Sequence, residues 1–267
     1  MKLTGAIDNY ANHEREADEA DVSGELTPMY RFFDPKLNGF FSGGIAKPNA
    51  TNIVLIFGTS GVGKSLFALN IIASAIREKK KFAHIILEDD TGEMLSRLRK
   101  IIPYEDIKKS DHILIPSSEI KTHFDQKEAL ELFENLFKEH FVDIIVLDHI
   151  QFLFEASAAG KQDNEWIRQR LFVQELNRIV KTYKKTLVIV SHVKKGADMT
   201  LDSTTGSNSI PQVATKAYAI YRNASKQLCM KQEKTRYTKP FFDEIPIRFD
   251  KNLRMWYDDG AKQEDEL

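Results

Sequence analysis

A single cysteine, Cys229, stands in the whole chain, so no disulfide framework can be built. It lies in the strand-like run Gln227-Leu-Cys-Met-Lys231, where the ordinary reading is a small buried residue, and a reducing cytoplasm is expected. No apolar run approaches the roughly 20 residues of a membrane-spanning helix, so no membrane role is expected. The first residues, Met1-Lys-Leu-Thr-Gly-Ala-Ile-Asp-Asn9, hold no apolar signal core, and no secretory leader is expected. Charge of one sign is also missing. The 38 Lys and Arg against 39 Asp and Glu leave a net charge of −1, which neither favours nor disfavours nucleic acid as a whole. Any DNA-binding surface must therefore be local. The 7 histidines are scattered without metal-ligand spacing, and no internal repeat is visible.

What the chain does have is a phosphate loop. Residues 58–65 read Gly58-Thr-Ser-Gly-Val-Gly-Lys-Ser65, after the apolar run 52–57 and before Leu66-Phe-Ala-Leu-Asn-Ile-Ile72. A G-x-x-x-x-G-K-[ST] pattern between a buried strand and a helix is the setting in which backbone N–H groups curl around phosphates. Gly58, Thr59, Ser60, Gly61, Val62, Gly63, Lys64, Ser65 and Leu66 are the candidate nucleotide-binding residues. Lys64 is expected to reach the β- and γ-phosphates of ATP, and the Ser65 hydroxyl to take a position on Mg²⁺.

The rest alternates. Strand 52–57 leads into helix 64–78, strand 82–88 into helix 91–101, and a short strand 112–116 follows. Helix 126–139 precedes strand 143–148, and helix 163–184 precedes strand 186–191. Three strand-like segments, 217–221, 227–231 and 245–249, close the chain. Alternating βα units with continuously apolar strands predict an α/β fold, a mostly parallel central sheet flanked by helices, with antiparallel C-terminal edge strands. Residues 29–257 are read as one domain. Residues 1–28 form an acidic arm, either solvated or docking on a neighbouring subunit, and 258–267 a solvated acidic tail.

Asp148 closes the apolar strand Ile144-Ile-Val-Leu147, where a carboxylate can hold Mg²⁺ beside the phosphate loop. The next residue is His149 rather than a glutamate, so the base for hydrolysis must come from elsewhere. Glu88 ends the strand after the phosphate-loop helix and, if that strand lies beside the first, faces the γ-phosphate; Asp89 is its rival. Asp89 and Asp90 otherwise read as the cap and first-turn charges of the next helix. His192 follows strand 186–191 and can hydrogen-bond the γ-phosphate. The long polar loop 193–210 offers Lys194, Lys195, Gly206 and Ser207 to DNA phosphates, or is simply a mobile surface loop.

These motifs together resemble the RecA-fold ATPase core of the DnaB/Twinkle/phage replicative helicase family, over roughly residues 28–257. Leu37-Asn-Gly-Phe-Phe-Ser-Gly-Gly44 is similar to the family's leader, and Leu87–Leu98 to its catalytic-glutamate segment. Leu147-Asp-His-Ile-Gln-Phe152 resembles its metal-aspartate strand with a glutamine three residues on, and Val190-Ser-His-Val-Lys-Lys195 its γ-phosphate sensor and DNA loop. The Gly206-Ser207 stretch is similar to the end of that loop, although Thr205 stands where the family often has arginine. The resemblance further implies that Lys234 and Arg236 form a basic finger for the neighbouring subunit's nucleotide, and that Arg222 and Phe249 sandwich the base.

The resemblance thus implies an ATP-dependent DNA helicase, a ring-forming and most simply hexameric translocase on single-stranded DNA in DNA replication. Residues 1–28 are too short for a primase domain, so it implies a motor domain alone, plasmid- or phage-encoded, with a separate primase or loader. Two alternatives share the phosphate loop: a RecA/RadA-type recombination ATPase forming filaments on DNA, and a KaiC-like regulatory ATPase binding protein partners.

Overall fold

The computed structural model describes residues 29–47, 50–116, 126–151, 165–193, 199–204, 209–236 and 244–260. Its helices are α1 (Pro35–Phe40), α2 (Lys64–Arg77), α3 (Thr91–Ile101), α4 (Tyr104–Lys109), α5 (Gln126–Lys138), α6 (Glu165–Tyr183) and α7 (Ser209–Val213). Its strands are β1 (Asn52–Gly58), β2 (Phe82–Ile86), β3 (His112–Pro116), β4 (Ile144–Asp148), β5 (Thr186–His192), β6 (Lys216–Arg222), β7 (Leu228–Thr235), β8 (Ile245–Phe249) and β9 (Met255–Tyr257).

The strands form one sheet in the order β3-β2-β4-β5-β1-β6-β7-β8-β9. Pairing is parallel from β3 to β6 and antiparallel from β6 to β9, which is the mixed architecture the apolar alternation predicted. Because strand side chains alternate between faces, one set of residues builds each half of the core. Val54, Ile56, Val146, Val188 and Ile220 pack with Phe67, Ile71 and Ile72 of α2 and Leu98 of α3. Ile53, Leu55, Phe57, Ile145, Leu147 and Ile189 pack on the other face with Phe133 and Phe137 of α5 and Phe172, Leu176 and Val180 of α6. Both faces are covered, which is why the central strands read as unbroken apolar runs rather than alternating ones.

One sequence expectation needs correcting. Strand β2 is not beside β1, because β4 and β5 lie between them. It is also shorter than 82–88: its ladders end at Ile86, opposite Asp148 and Pro116, although Leu87 N–H still donates to Asp148 O at 2.7 Å. Glu88 therefore projects from a loop beyond the sheet.

The C-terminal strands wrap back over the phosphate-loop helix. Asn70 of α2 accepts from Met255 N–H at 3.0 Å and donates to Leu253 O at 3.0 Å, while Asp34 accepts from Tyr257 N–H at 2.7 Å. This clasp holds Phe249 and Leu253 near the first turn of α2.

Candidate active site at the carboxyl edge of the sheet

Strand β1 ends where only glycine fits. A Cβ on Gly58 would lie 2.1 Å from Ile220 O on β6, so the two backbones meet without a side chain between them. Gly61 and Gly63 have φ of 72° and 104°, in the left-handed region that lets the chain reverse into α2. A Cβ on Gly63 would also lie 2.9 Å from the Phe249 ring, so this predicted base-contacting residue lies against the phosphate loop. The loop lies over the N-terminus of a 14-residue helix, whose unpaired N–H groups favour an anion.

A cavity of about 440 Å³ opens there, lined by Ser60, Gly61, Gly63, Lys64, Ser65, Leu66, Glu88, Asp89, Arg97, His149, His192 and Leu253. The neighbouring tips of β2, β4, β5 and β1 thus deliver Glu88, Asp148 with His149, His192 and the phosphate loop to one place. Lys64 Nζ donates to Thr59 O at 2.8 Å and meets His192 Nδ1 at 3.1 Å. Burial pushes the Lys64 ammonium down to about 8, opposed by the nearby Asp148 and Glu88.

Asp148 is buried at the end of β4. Burial pushes its carboxyl up to about 7, with Asp89 and Glu88 adding to the rise and a hydrogen bond from Ser65 and the charge of Lys64 opposing it. Its Oδ1 is buried and accepts no hydrogen bond among the described residues, although His149 Nε2 lies 3.1 Å away. An orphaned carboxylate oxygen beside the Ser65 hydroxyl fits a hard divalent cation such as Mg²⁺, which would supply the missing partner.

His149 was singled out in the sequence only for not being glutamate. Its Nε2 lies 2.7 Å from Glu88 Oε2 and 3.1 Å from Asp148 Oδ1. Its ring stacks on that of His192, with centroids 4.0 Å apart and planes 15° from parallel. His192 Nε2 is 3.5 Å from the same Glu88 oxygen. Burial holds His149 neutral, down to about 3, and also lowers His192. The ligand atoms of Glu88, His149 and His192 lie within 4.8 Å of one another. Behind them, Gln151 Nε2 donates to Ser191 Oγ at 2.7 Å, tying the end of β4 to the residue before His192.

The two aspartates after Glu88 have other partners. Asp90 caps α3, accepting from Gly92 and Glu93 N–H at 2.8 and 3.1 Å. Asp89 pairs with Arg97 at 2.9 Å. Arg97 and Leu253 line the cavity without having been foreseen. The spacing of Glu93 and Arg97 was a legible helix pair, but nothing in it pointed to the cavity.

Three predicted residues lie elsewhere. Lys234 Nζ donates to Pro211 O at 2.6 Å and Gln212 O at 3.1 Å, and Arg236 Nη2 donates to Gln212 O at 2.6 Å. The register Ala217↔Lys234 puts them at the start of β6, whereas the phosphate loop leaves β1 at Gly58, opposite Ile220. Neither lines the cavity. Arg222 ends β6 with its guanidinium on Lys226 O at 3.0 Å, outside the cavity lining. Lys194, Lys195, Gly206, Ser207, the arm 1–28 and tail residues 261–267 lie outside the described residues. Among the described residues no helix is long and apolar enough to cross a membrane.

Comparison with known proteins agrees with this frame. Residues 48–198 match the family described as AAA domain (AAA_25). Over 178 residues the chain is 27% identical to DNA repair protein RadA of Campylobacter jejuni, covering 66% of this chain but 35% of that protein. The chain thus spans about a third of the relative's length. A crystal structure of a KaiC-like protein from Pyrococcus horikoshii OT3 superposes with a TM-score of 0.66 at 16% identity, covering 85% of this chain and 97% of that one, a likeness of fold alone.

Proposed function

The chain belongs to the AAA domain family that its residues 48–198 match, a P-loop ATPase of RecA-like fold, and from that premise we propose that it is an ATP-hydrolysing ring motor on single-stranded DNA, a helicase or translocase of the DnaB type. One observation carries the reading. The pocket gathers Lys64, Ser65, Glu88 and His192, with Asp148 behind Ser65, while Lys234 and Arg236 lie outside its lining on the carbonyls of Pro211 and Gln212.

In this account residues 29–257 are the ATPase unit, and the arm 1–28 docks on a neighbour. Lys64 leaves Thr59 O and His192 Nδ1 for the β- and γ-phosphate oxygens of ATP, cradled by the N–H groups of residues 58–66. Ser65 and Asp148 would hold Mg²⁺, which when bound would offset charge on the phosphates. Glu88 takes the proton of the attacking water. His192, released from Lys64, is free to meet the γ-phosphate. Gln151 on Ser191 then passes that state between β4 and β5 toward the 194–207 loop, whose Lys194, Lys195, Gly206 and Ser207 track the DNA backbone. Phe249, already lying against Gly63, packs on the base, and Arg222 joins it only by leaving Lys226 O. Lys234 and Arg236 complete the neighbouring subunit's site, stabilising developing γ-phosphate charge.

A second reading, a recombination or repair ATPase forming filaments on DNA, is favoured by the match to DNA repair protein RadA. Electron microscopy of the chain with a non-hydrolysable ATP analogue and single-stranded DNA separates the two. Closed rings around DNA are expected. Open helical filaments would favour the second reading, and assemblies indifferent to DNA would contradict both.

A further inference from the structure

Glu88 extends from a loop with its side chain 40% exposed, and a glutamate in that position explores several rotamers unless something holds it. Two imidazoles stand beside it, and His149 is the nearer. Its side chain is 2% exposed, and its Nε2 lies 2.7 Å from Glu88 Oε2. A neutral imidazole carries one N–H, and with carboxylate oxygens of Glu88 and Asp148 both close to Nε2 that proton belongs there. His192 stacks on the ring at 4.0 Å and fixes its orientation. The Nε2 of His192 approaches the same Glu88 oxygen at 3.5 Å, so both imidazoles address Oε2.

We propose that His149 is a positioning residue for hydrolysis, its Nε2–H pinning Glu88 Oε2 so that Oε1 faces the attacking water. This rests on the reading of Glu88 as the base. The water oxygen bonds to the γ-phosphorus as its proton passes to Glu88 Oε1. The bond from the γ-phosphorus to the bridging oxygen breaks, and ADP leaves with that electron pair. His149 keeps its own proton throughout.

The test is steady-state ATP turnover by the full chain on single-stranded DNA, with thermal melting as a check on folding. His149→Leu keeps bulk and removes the donor. It should lower kcat about 10- to 100-fold, the usual cost of losing a hydrogen-bond partner behind a working group, with KM for ATP changed less than about threefold. His149→Gln keeps an N–H at similar reach and should recover most of that loss. If His149→Leu does not fold, His149→Gln within about tenfold of the wild-type kcat still carries the prediction. Because His149 acts through Glu88, the double variant Glu88→Gln/His149→Leu should be no slower than Glu88→Gln alone by more than about threefold. Additive losses, a folded His149→Gln as slow as His149→Leu, or a raised Mg²⁺ requirement with kcat intact would overturn the proposal. Glu88→Gln at the wild-type rate would instead sink the assignment of the base. A slow Glu88→Gln beside a wild-type-like His149→Leu would sink the role of His149 alone.

Discussion

Lys64 and the pair Lys234 and Arg236 are all cations resting on backbone carbonyls, yet their surroundings differ in kind. Lys64 is buried, with Asp148 and Glu88 near enough to raise its affinity for a proton against the cost of burial. Lys234 and Arg236 meet the carbonyls of Pro211 and Gln212, at the C-terminus of α7. A carbonyl holds a cation without neutralising it, so the pair keeps its charge for an anion arriving from outside. The contrast teaches that one cation sits in a cavity edged by carboxylates while the pair sits outside it on carbonyls alone, the arrangement that the proposed finger requires.

Variants can break or sharpen that contrast. The largest effect is expected from Lys64→Ala, which should abolish both ATP binding and turnover. Calorimetry with ATP checks it, and ATP binding at wild-type affinity would contradict the role of the cradle. Arg236→Ala should come next. Turnover is expected to fall about 10³- to 10⁵-fold while ATP affinity changes less than about tenfold, because the lost charge belongs to the next subunit's transition state. An affinity loss matching that of Lys64→Ala would mean that both cations serve one pocket.

Glu88→Gln should lower turnover about 10²- to 10⁴-fold and leave ATP binding in place. Single-turnover kinetics reads this directly. The smallest effect is expected from Asp89→Asn, within about threefold, because Asp89 is engaged by Arg97 in a pair about 30% exposed and of small energetic weight. A larger loss in Asp89→Asn than in Glu88→Gln would transfer the base to Asp89.

How legible all this was depended on how far apart the participants lie in the chain. The phosphate loop was readable because its whole function sits in eight contiguous residues between a strand and a helix. The central strands were readable because burial on both faces demands continuous apolar residues, and β1, β2 and β4 are buried throughout. Strand order was not. The route of Glu88 into the pocket depends on β4 and β5 intervening before β1, a long-range pairing that no local pattern records. His149 was invisible for the same reason, since its meaning comes from Glu88 and His192, each from another strand tip. The placement of Lys234 and Arg236 away from the pocket needed the β6–β7 register. Short elements also escaped: α1 carries an Asp34 cap and Pro35 that could have announced it, whereas β9 is 3 residues and exists only by pairing with β8.

The central claim is that one subunit's pocket is finished by another subunit's finger. Mixing Lys64→Ala chains with Arg236→Ala chains tests it most directly, since each is expected to be inactive alone. Where a Lys64→Ala subunit lends its intact Arg236 to the intact pocket of an Arg236→Ala neighbour, one working site is restored. ATP turnover should therefore rise with mixing and peak at intermediate ratios. No turnover at any ratio, with mixed assemblies shown to form, would contradict the account.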